Sequence, residues 1–169
     1  MVTLSTPDAA RLARARAAAA TVCDPEIPVL TLDDLGVIRR VAIAGDGEIE
    51  ADITPTYSGC PAMAVMALDL QTALAAAGFP KARIRTVLSP AWTTDWMTAQ
   101  GRAKLLAYGI APPASRASRR ALFGDDDALA CPRCGSDVTV KISEFGSTAC
   151  KSLWRCKSCL EPFDAFKCI

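Results

Sequence analysis

The chain of 169 residues contains no histidine. A Cys–His catalytic pair is therefore excluded, because it needs an imidazole base, and so is a zinc site with imidazole ligands. The sequence also lacks an apolar run of the 18 or more residues that a membrane-spanning helix needs. No long apolar segment of an export signal follows the first arginines, so we expect a cytoplasmic location. With 19 basic and 18 acidic side chains the net charge is +1, which is not the basic footprint of a nucleic-acid-binding protein.

Cysteine, by contrast, is concentrated near the carboxyl terminus. Two Cys-x-x-Cys pairs, Cys131/Cys134 and Cys156/Cys159, are separated by 21 residues, which is the spacing of a tetrahedral metal site. A segment of about 40 residues buries too little apolar surface to fold alone, so a metal would have to stabilise it. Residues 131–169 are therefore predicted to form a zinc ribbon with these four ligands. Two disulfides are the alternative, which the absence of an export signal disfavours.

Two further cysteines, Cys150 and Cys168, lie outside these pairs. A hairpin that turns at Cys159 would place Cys150 opposite Cys168 and Trp154 opposite Asp164. The two thiols could then form a disulfide, add ligands for an iron–sulfur cluster, or simply pack in the interior. An iron–sulfur cluster in the tail, in place of zinc, therefore stays open as an alternative.

The rest of the chain predicts an α+β fold, a small mixed sheet with packed helices in the order α-β-β-α-β-α. We expect a first domain over residues 1–110 and a polar linker over 111–130. The last helix would carry Trp92 and Trp96 on one face, four residues apart. The predicted helices cover 5–22, 61–77 and 92–108, and the predicted strands cover 37–44, 48–54 and 81–88.

Cys60 is the second chemical feature, because it lies between Gly59 and Pro61 where the second helix should begin. The positive end of a helix favours a thiolate, so we expect a pKa below that of a free thiol. Such a thiolate would be a metal ligand or a nucleophile, whereas a buried packing role is the plain alternative. Asp24 and Glu26 could act with Cys60 only if the fold brings them close, and Cys23 could approach it in the same way.

Three motifs in order resemble the iron–sulfur cluster assembly domain of SufT and its relatives, over about residues 10–110. A tryptophan pair, a Gly-Ile-Ala-Pro-Pro segment and the four-cysteine tail extend the resemblance to nearly the whole chain. In that form it resembles the PaaD (PaaJ) family, accessory subunits encoded with the multicomponent phenylacetyl-CoA epoxidase. The motifs are Asp24–Pro28, Asp34–Ile38 and Thr54–Pro61, and the extensions are Trp92–Trp96, Gly109–Pro113 and residues 131–169.

The resemblance places the family's reactive cysteine on Cys60 and its acidic loop on Asp24 and Glu26. It implies a non-catalytic accessory factor for phenylacetyl-CoA epoxidation in aerobic phenylacetate degradation. Such a factor would mature an iron–sulfur cluster or metal centre of the oxygenase or reductase subunit and would hold a cluster only transiently. A single cysteine leaves coordination positions that a homodimer or a client protein must complete. The alternatives are a structural or regulatory subunit of the oxygenase complex, a nucleic-acid-binding ribbon and a thiol redox enzyme.

Overall fold

The computed structural model describes residues 6–57, 59–113 and 129–167. The chain divides into two compact units, Met1–Trp92 and Thr93–Ile169. This division falls ahead of the last helix, whereas the sequence predicted a domain that ends at residue 110. Most of the predicted linker lies outside the described residues, so the boundaries of domain, linker and ribbon stay a prediction.

The first unit is a three-stranded mixed sheet with two helices. The sequence predicted this sheet together with a third helix, which belongs to the second unit. Strand β2 lies in the centre, antiparallel to β1 and parallel to β3. Helix α1 packs on β1 and on α2, and α2 also packs on β3. The elements are α1 (Thr6–Ala19), β1 (Ile38–Ile43), β2 (Ile49–Ile53), α2 (Met63–Ala76) and β3 (Arg83–Thr86).

Alternation along β2 decides which side chains form the core. Ile49, Ala51 and Ile53 are fully buried, as expected for every second residue of a central strand. On the other face, the Asp52 carboxylate accepts hydrogen bonds from Arg40 Nε at 2.7 Å and Arg85 Nε at 2.9 Å. Burial acts to raise the pKa of Asp52, but the two guanidinium groups outweigh it and hold that pKa below its usual value.

The second unit contains a helix and a three-stranded antiparallel sheet in the order β4-β5-β6. A 3-10 turn (Thr94–Trp96) precedes α3 (Ala99–Tyr108), and the strands are β4 (Thr139–Ser143), β5 (Lys151–Cys156) and β6 (Pro162–Phe166). No helix within the described ranges is long and apolar enough to cross a bilayer.

The predicted helix over 92–108 is wrong in its first half. The observed helix α3 begins at Ala99, because the Thr98 hydroxyl accepts the N–H of Gly101 at 2.9 Å and so caps the helix there. Trp92 and Trp96 therefore share no helix face. The buried Trp92 indole instead donates to the Leu35 carbonyl at 2.8 Å, within the first unit.

The register of the ribbon differs by one residue from the prediction. Trp154 lies opposite Phe163, and Asp164 lies opposite Leu153. The shift arises because the turn after Cys159 is no regular hairpin turn. Cys150 is buried, and its carbonyl accepts the N–H of Lys167 at 3.0 Å. Cys168 lies outside the described residues, so its pairing with Cys150 stays a prediction.

Ala111, predicted as the first residue of the linker, pairs with the last strand of the ribbon. It forms an isolated parallel bridge with Ala165. The N–H of Ala111 donates to the Asp164 carbonyl, and the Ala111 carbonyl accepts the N–H of Phe166, both at 2.9 Å. Ala111 thus pairs with the outer edge of β6 as an isolated bridge residue.

Candidate metal and cluster sites

The four predicted zinc ligands come together in the ribbon. Their sulfur atoms all lie within 4.8 Å of one another. Cys131 Sγ is 3.8 Å from Cys159 Sγ, and Cys134 Sγ is 3.6 Å from Cys156 Sγ. A tetrahedral zinc ion with Zn–S bonds of about 2.3 Å holds its sulfurs about 3.8 Å apart. The arrangement therefore fits one zinc ion.

The alternatives for these cysteines fit less well. A disulfide needs sulfurs about 2.05 Å apart, and all seven described cysteines are free. An iron–sulfur cluster is held by thiolates on different iron atoms, so its ligands would spread more widely than around a single ion. Cys150 is no member of the group of four sulfurs, and its Sγ lies 3.1 Å from the Thr148 hydroxyl oxygen.

Backbone groups tune the thiols of the second Cys-x-x-Cys turn. Cys156 Sγ accepts the N–H groups of Cys159 at 3.4 Å and Ser158 at 3.3 Å. These bonds lower the pKa of Cys156 to about 6, against the effect of burial. The N–H of Glu161 acts to lower the pKa of Cys159, but burial and the three neighbouring thiols raise it to about 12. The pKa values of Cys156 and Cys159 are thus shifted in opposite directions, and metal binding to thiols releases protons.

The two Cys-x-x-Cys turns end in the same backbone conformation. Gly135 follows Cys134 with φ 75°, and Leu160 follows Cys159 with φ 65°. Left-handed backbone at the last position is ordinary for glycine and unfavourable for leucine. Beneath the turns, a buried apolar cluster packs against the ligands. Its members are Ala111, Cys131, Trp154, Cys156, Phe163 and Ala165.

Cys60 lies in the loop from β2 to α2. This loop begins the crossover that joins the parallel strands β2 and β3. Ligands of α/β sheets commonly bind at the carboxyl ends of such strands. The N–H of Cys60 donates to the Tyr57 carbonyl at 3.1 Å. Helix α2 begins at Met63, later than predicted, so Cys60 precedes it by one turn. The half-buried thiol faces the N–H groups of Ala62 and Met63.

Asp24 organises the acidic loop. Its buried carboxylate accepts the N–H of Glu26 at 2.7 Å and the N–H of Ile27 at 2.8 Å through the same oxygen, Oδ1. A bridge between Cys23 and Thr31 closes the loop at its base. Asp24 is thus a turn-forming residue as well as a negative charge, and the sequence revealed only the charge.

The pKa of Cys60 is raised, and the prediction of a lowered value is wrong. Burial is the largest cause, and the charges of Glu26 and then Asp24 act in the same direction. The N–H groups of Ala62 and Met63 oppose them without prevailing. The fold therefore brings both predicted acids close enough to act on the thiol. Cys23 is exposed and donates to the Thr21 carbonyl at 3.8 Å, and its approach to Cys60 stays a prediction.

Comparisons with known proteins match both parts of the chain. The family described as "Iron-sulfur cluster assembly protein" matches residues 3–88, and the "PaaD zinc beta ribbon domain" matches residues 115–167. A protein of Escherichia coli (strain K12), provisionally named as one subunit (the D component) of 1,2-phenylacetyl-CoA epoxidase, is 51% identical over 146 residues. The aligned region is 86% of this chain and 86% of that protein.

Among solved structures, a domain of unknown function, DUF59, from Bacillus anthracis has a TM-score of 0.53 at 22% identity. It covers 59% of this chain and 94% of its own, and the likeness concerns the fold. A conserved hypothetical protein from Thermotoga maritima has a TM-score of 0.46 at 20% identity, over 62% of this chain and 98% of its own. Since the two family matches and the near full-length relative agree, the chain belongs to the PaaD family, with an iron–sulfur cluster assembly domain ahead of a PaaD zinc ribbon.

Proposed function

We propose that this protein is an accessory subunit of a phenylacetyl-CoA epoxidase that helps to mature a metal centre of a partner subunit. In this proposal Cys60 holds the cargo, an iron–sulfur cluster or its iron, in transit to the oxygenase or reductase subunit. The name of the relative from Escherichia coli supports the epoxidase as the setting. The match of residues 3–88 to the cluster assembly family supports iron–sulfur cargo.

The observation that carries the proposal is the convergence of one thiol and two acids from distant parts of the chain. Glu26 and Asp24 both act on the charge of Cys60. Negative charges favour a cation at this place and disfavour a free thiolate. The thiol therefore keeps its proton until a metal cation displaces it, which suits metal capture better than nucleophilic attack.

The small set of ligands around Cys60 also suits release of the cargo. Soft sulfur selects iron, zinc or iron–sulfur units over hard cations such as magnesium. One thiolate with two carboxylates nearby is too small a ligand set to retain a cluster permanently, since clusters are usually held by four protein ligands. A client protein or a second copy of the chain would complete the coordination, and the client would keep the cargo.

The test is anaerobic purification of the wild type and of Cys60→Ala, followed by zinc, iron and sulfide analysis of each protein. Cys23→Ala is the matched control, because Cys23 is an exposed free cysteine beside the same acidic loop. We expect about one zinc per chain in all three proteins, with iron and sulfide lost only in Cys60→Ala. In cells that carry Cys60→Ala, the cluster content of the reductase subunit should fall.

A second candidate function is a structural or regulatory subunit that transfers no metal. The half-buried position and the raised pKa of Cys60 favour it, because a thiol that keeps its proton packs as a small apolar side chain. Zinc alone in every variant, together with a fully loaded reductase in Cys60→Ala cells, would select this second function and contradict maturation.

A further inference from the structure

At one end of the ribbon sheet, Arg155 and Pro162 are exposed in the described part of the chain. Strand alternation places Trp154 and Cys156 on the buried face of β5, so Arg155 between them lies on the opposite face. Across the three strands Arg155 pairs with Val140 on one side and Pro162 on the other. Val138 precedes β4 and Leu160 lies in the turn before β6, and both side chains are exposed at this end of the sheet. We call Val138, Val140, Arg155, Leu160 and Pro162 the ribbon's open face.

Leu160 is the unusual member of this face. It is the one residue other than glycine with positive φ in the described part of the chain. At 69% exposure it is also the most exposed large apolar side chain in the same ranges. The corresponding residue of the first Cys-x-x-Cys turn is Gly135, which meets the same backbone demand without strain. The Cys-x-x-Cys turn accounts for the left-handed backbone, but neither zinc binding nor folding requires a leucine at this position, whereas a contact with another molecule would use its exposed side chain.

The charge on the open face indicates the kind of molecule. Arg155 and the neighbouring Lys157 are exposed, and neither forms an ion pair with any described residue. Arg155 lies on the face opposite Cys156, so it is poorly placed to neutralise the zinc thiolates. A second copy of the chain docked on the same face would bring cation against cation. The face is therefore complementary to a different protein that presents carboxylates around an apolar pocket.

We propose that the ribbon's open face is the docking surface for another subunit of the epoxidase, with Leu160 as the apolar anchor and Arg155 paired to a partner carboxylate. The proposal rests on the proposed function for the identity of the partner. An exposed apolar side chain near an arginine fits an interface in which few residues dominate the affinity.

The experiment measures binding of the full-length, zinc-loaded chain to each purified epoxidase subunit by calorimetry, at low and moderate salt. Leu160→Gly removes the anchor and relieves the backbone strain, so it should keep one zinc and melt at or above the wild-type temperature. Its affinity should nevertheless fall by about ten-fold or more. Arg155→Glu should weaken binding to a similar degree, most strongly at low salt. Leu68→Ala, which alters a leucine of similar exposure (64%) on α2, is the control and should bind within about two-fold of the wild type.

Binding of Leu160→Gly at wild-type affinity would overturn the proposal, and so would an equal loss in Leu68→Ala. Failure of the wild type to bind any epoxidase subunit would also overturn it. The proposed function is judged separately, by reductase cluster content in Cys60→Ala cells. If that content is unchanged while Leu160→Gly abolishes binding, the docking surface stands and the maturation role fails.

Discussion

Substitution of Asp24 separates the two tasks that this residue performs beside Cys60. Its Oδ1 atom accepts two backbone N–H groups, and its charge acts on the thiol. Asp24→Asn keeps an oxygen at the Oδ1 position and removes the charge. Asp24→Ala removes both. The pair of variants therefore distinguishes the turn from the electrostatics.

The expected stabilities follow from the two hydrogen bonds. A bond to a charged acceptor contributes about 1.5–3 kcal/mol and a neutral one about 0.5–1.5 kcal/mol, and such bonds are not additive. Ile27 is only 1% exposed, so its N–H would lose its partner away from water in Asp24→Ala. We expect Asp24→Ala to lower the free energy of unfolding by about 3–4 kcal/mol and Asp24→Asn by about 1–2 kcal/mol. Urea unfolding of the zinc-loaded proteins measures both.

The effect of the carboxylate charges on the pKa of Cys60 is measured by the pH dependence of its alkylation by iodoacetamide, since only the thiolate reacts. The wild-type midpoint should lie above about 8.5, the value of a free thiol. It should fall in Asp24→Asn and fall at least as far in Glu26→Gln, because Glu26 has the larger effect on Cys60. Asp33→Asn, at an exposed position in the next turn, is the control and should leave the midpoint unchanged.

The raised pKa of Cys60 also makes the stability of the protein depend on pH. Because the folded pKa of Cys60 is raised, the protonated thiol favours the native state. Its contribution is complete below the unfolded pKa of about 8.5 and declines as pH rises through the folded pKa. Equal destabilisation by Asp24→Asn and Asp24→Ala would refute the turn argument. An alkylation midpoint unmoved by either charge-removing variant would refute the electrostatic one.

Three further predictions concern the ribbon and the core. Cys156→Ser should lose zinc and unfold the ribbon, because structural zinc supplies roughly 10–16 kcal/mol in comparable peptides; zinc stoichiometry and circular dichroism measure this, and Cys150→Ser should keep its zinc. Leu70→Ala should lower the free energy of unfolding by about 2–5 kcal/mol, since Leu70 is 0% exposed; a loss no larger than that of exposed Leu68→Ala would contradict it. Gly146→Ala should lower the free energy of unfolding by about 1–3 kcal/mol, because its new Cβ would collide with the Asp164 carboxylate. Thermal melting measures this loss. The control Gly45→Ala, which has open space around the new Cβ, should melt at nearly the wild-type temperature.

The features that the sequence predicted well are carried by local patterns. Alternation from Ile49 to Ile53 predicts a half-buried strand, and that strand has a buried and a charged face. The spacing of four cysteines predicts the group of four sulfurs, since each Cys-x-x-Cys turn presents two sulfurs to one point. The α+β class and the mixed sheet follow in the same way from periodicity.

The features that the sequence did not predict depend on residues far apart in the chain. The sign of the pKa shift at Cys60 reflects burial and two acids more than 30 positions away, which outweigh the adjacent helix start. The break in the helix over 92–108 reflects the Thr98 hydroxyl, a cap that the apolar pattern hid. The one-residue shift of the ribbon register reflects a left-handed leucine that no propensity favours.

The bridge from Ala111 to β6 bears on where the chain should tolerate insertions. Ala111 and Cys131 belong to the same buried cluster, so both ends of the intervening segment are anchored on the ribbon. The cost of closing such a segment grows slowly, by about 0.6 kcal/mol for each doubling of its length. Insertions, a protease site or a fluorescent reporter placed between residues 114 and 128 should therefore leave the ribbon assembled, and the segment is a natural point at which to tag the protein.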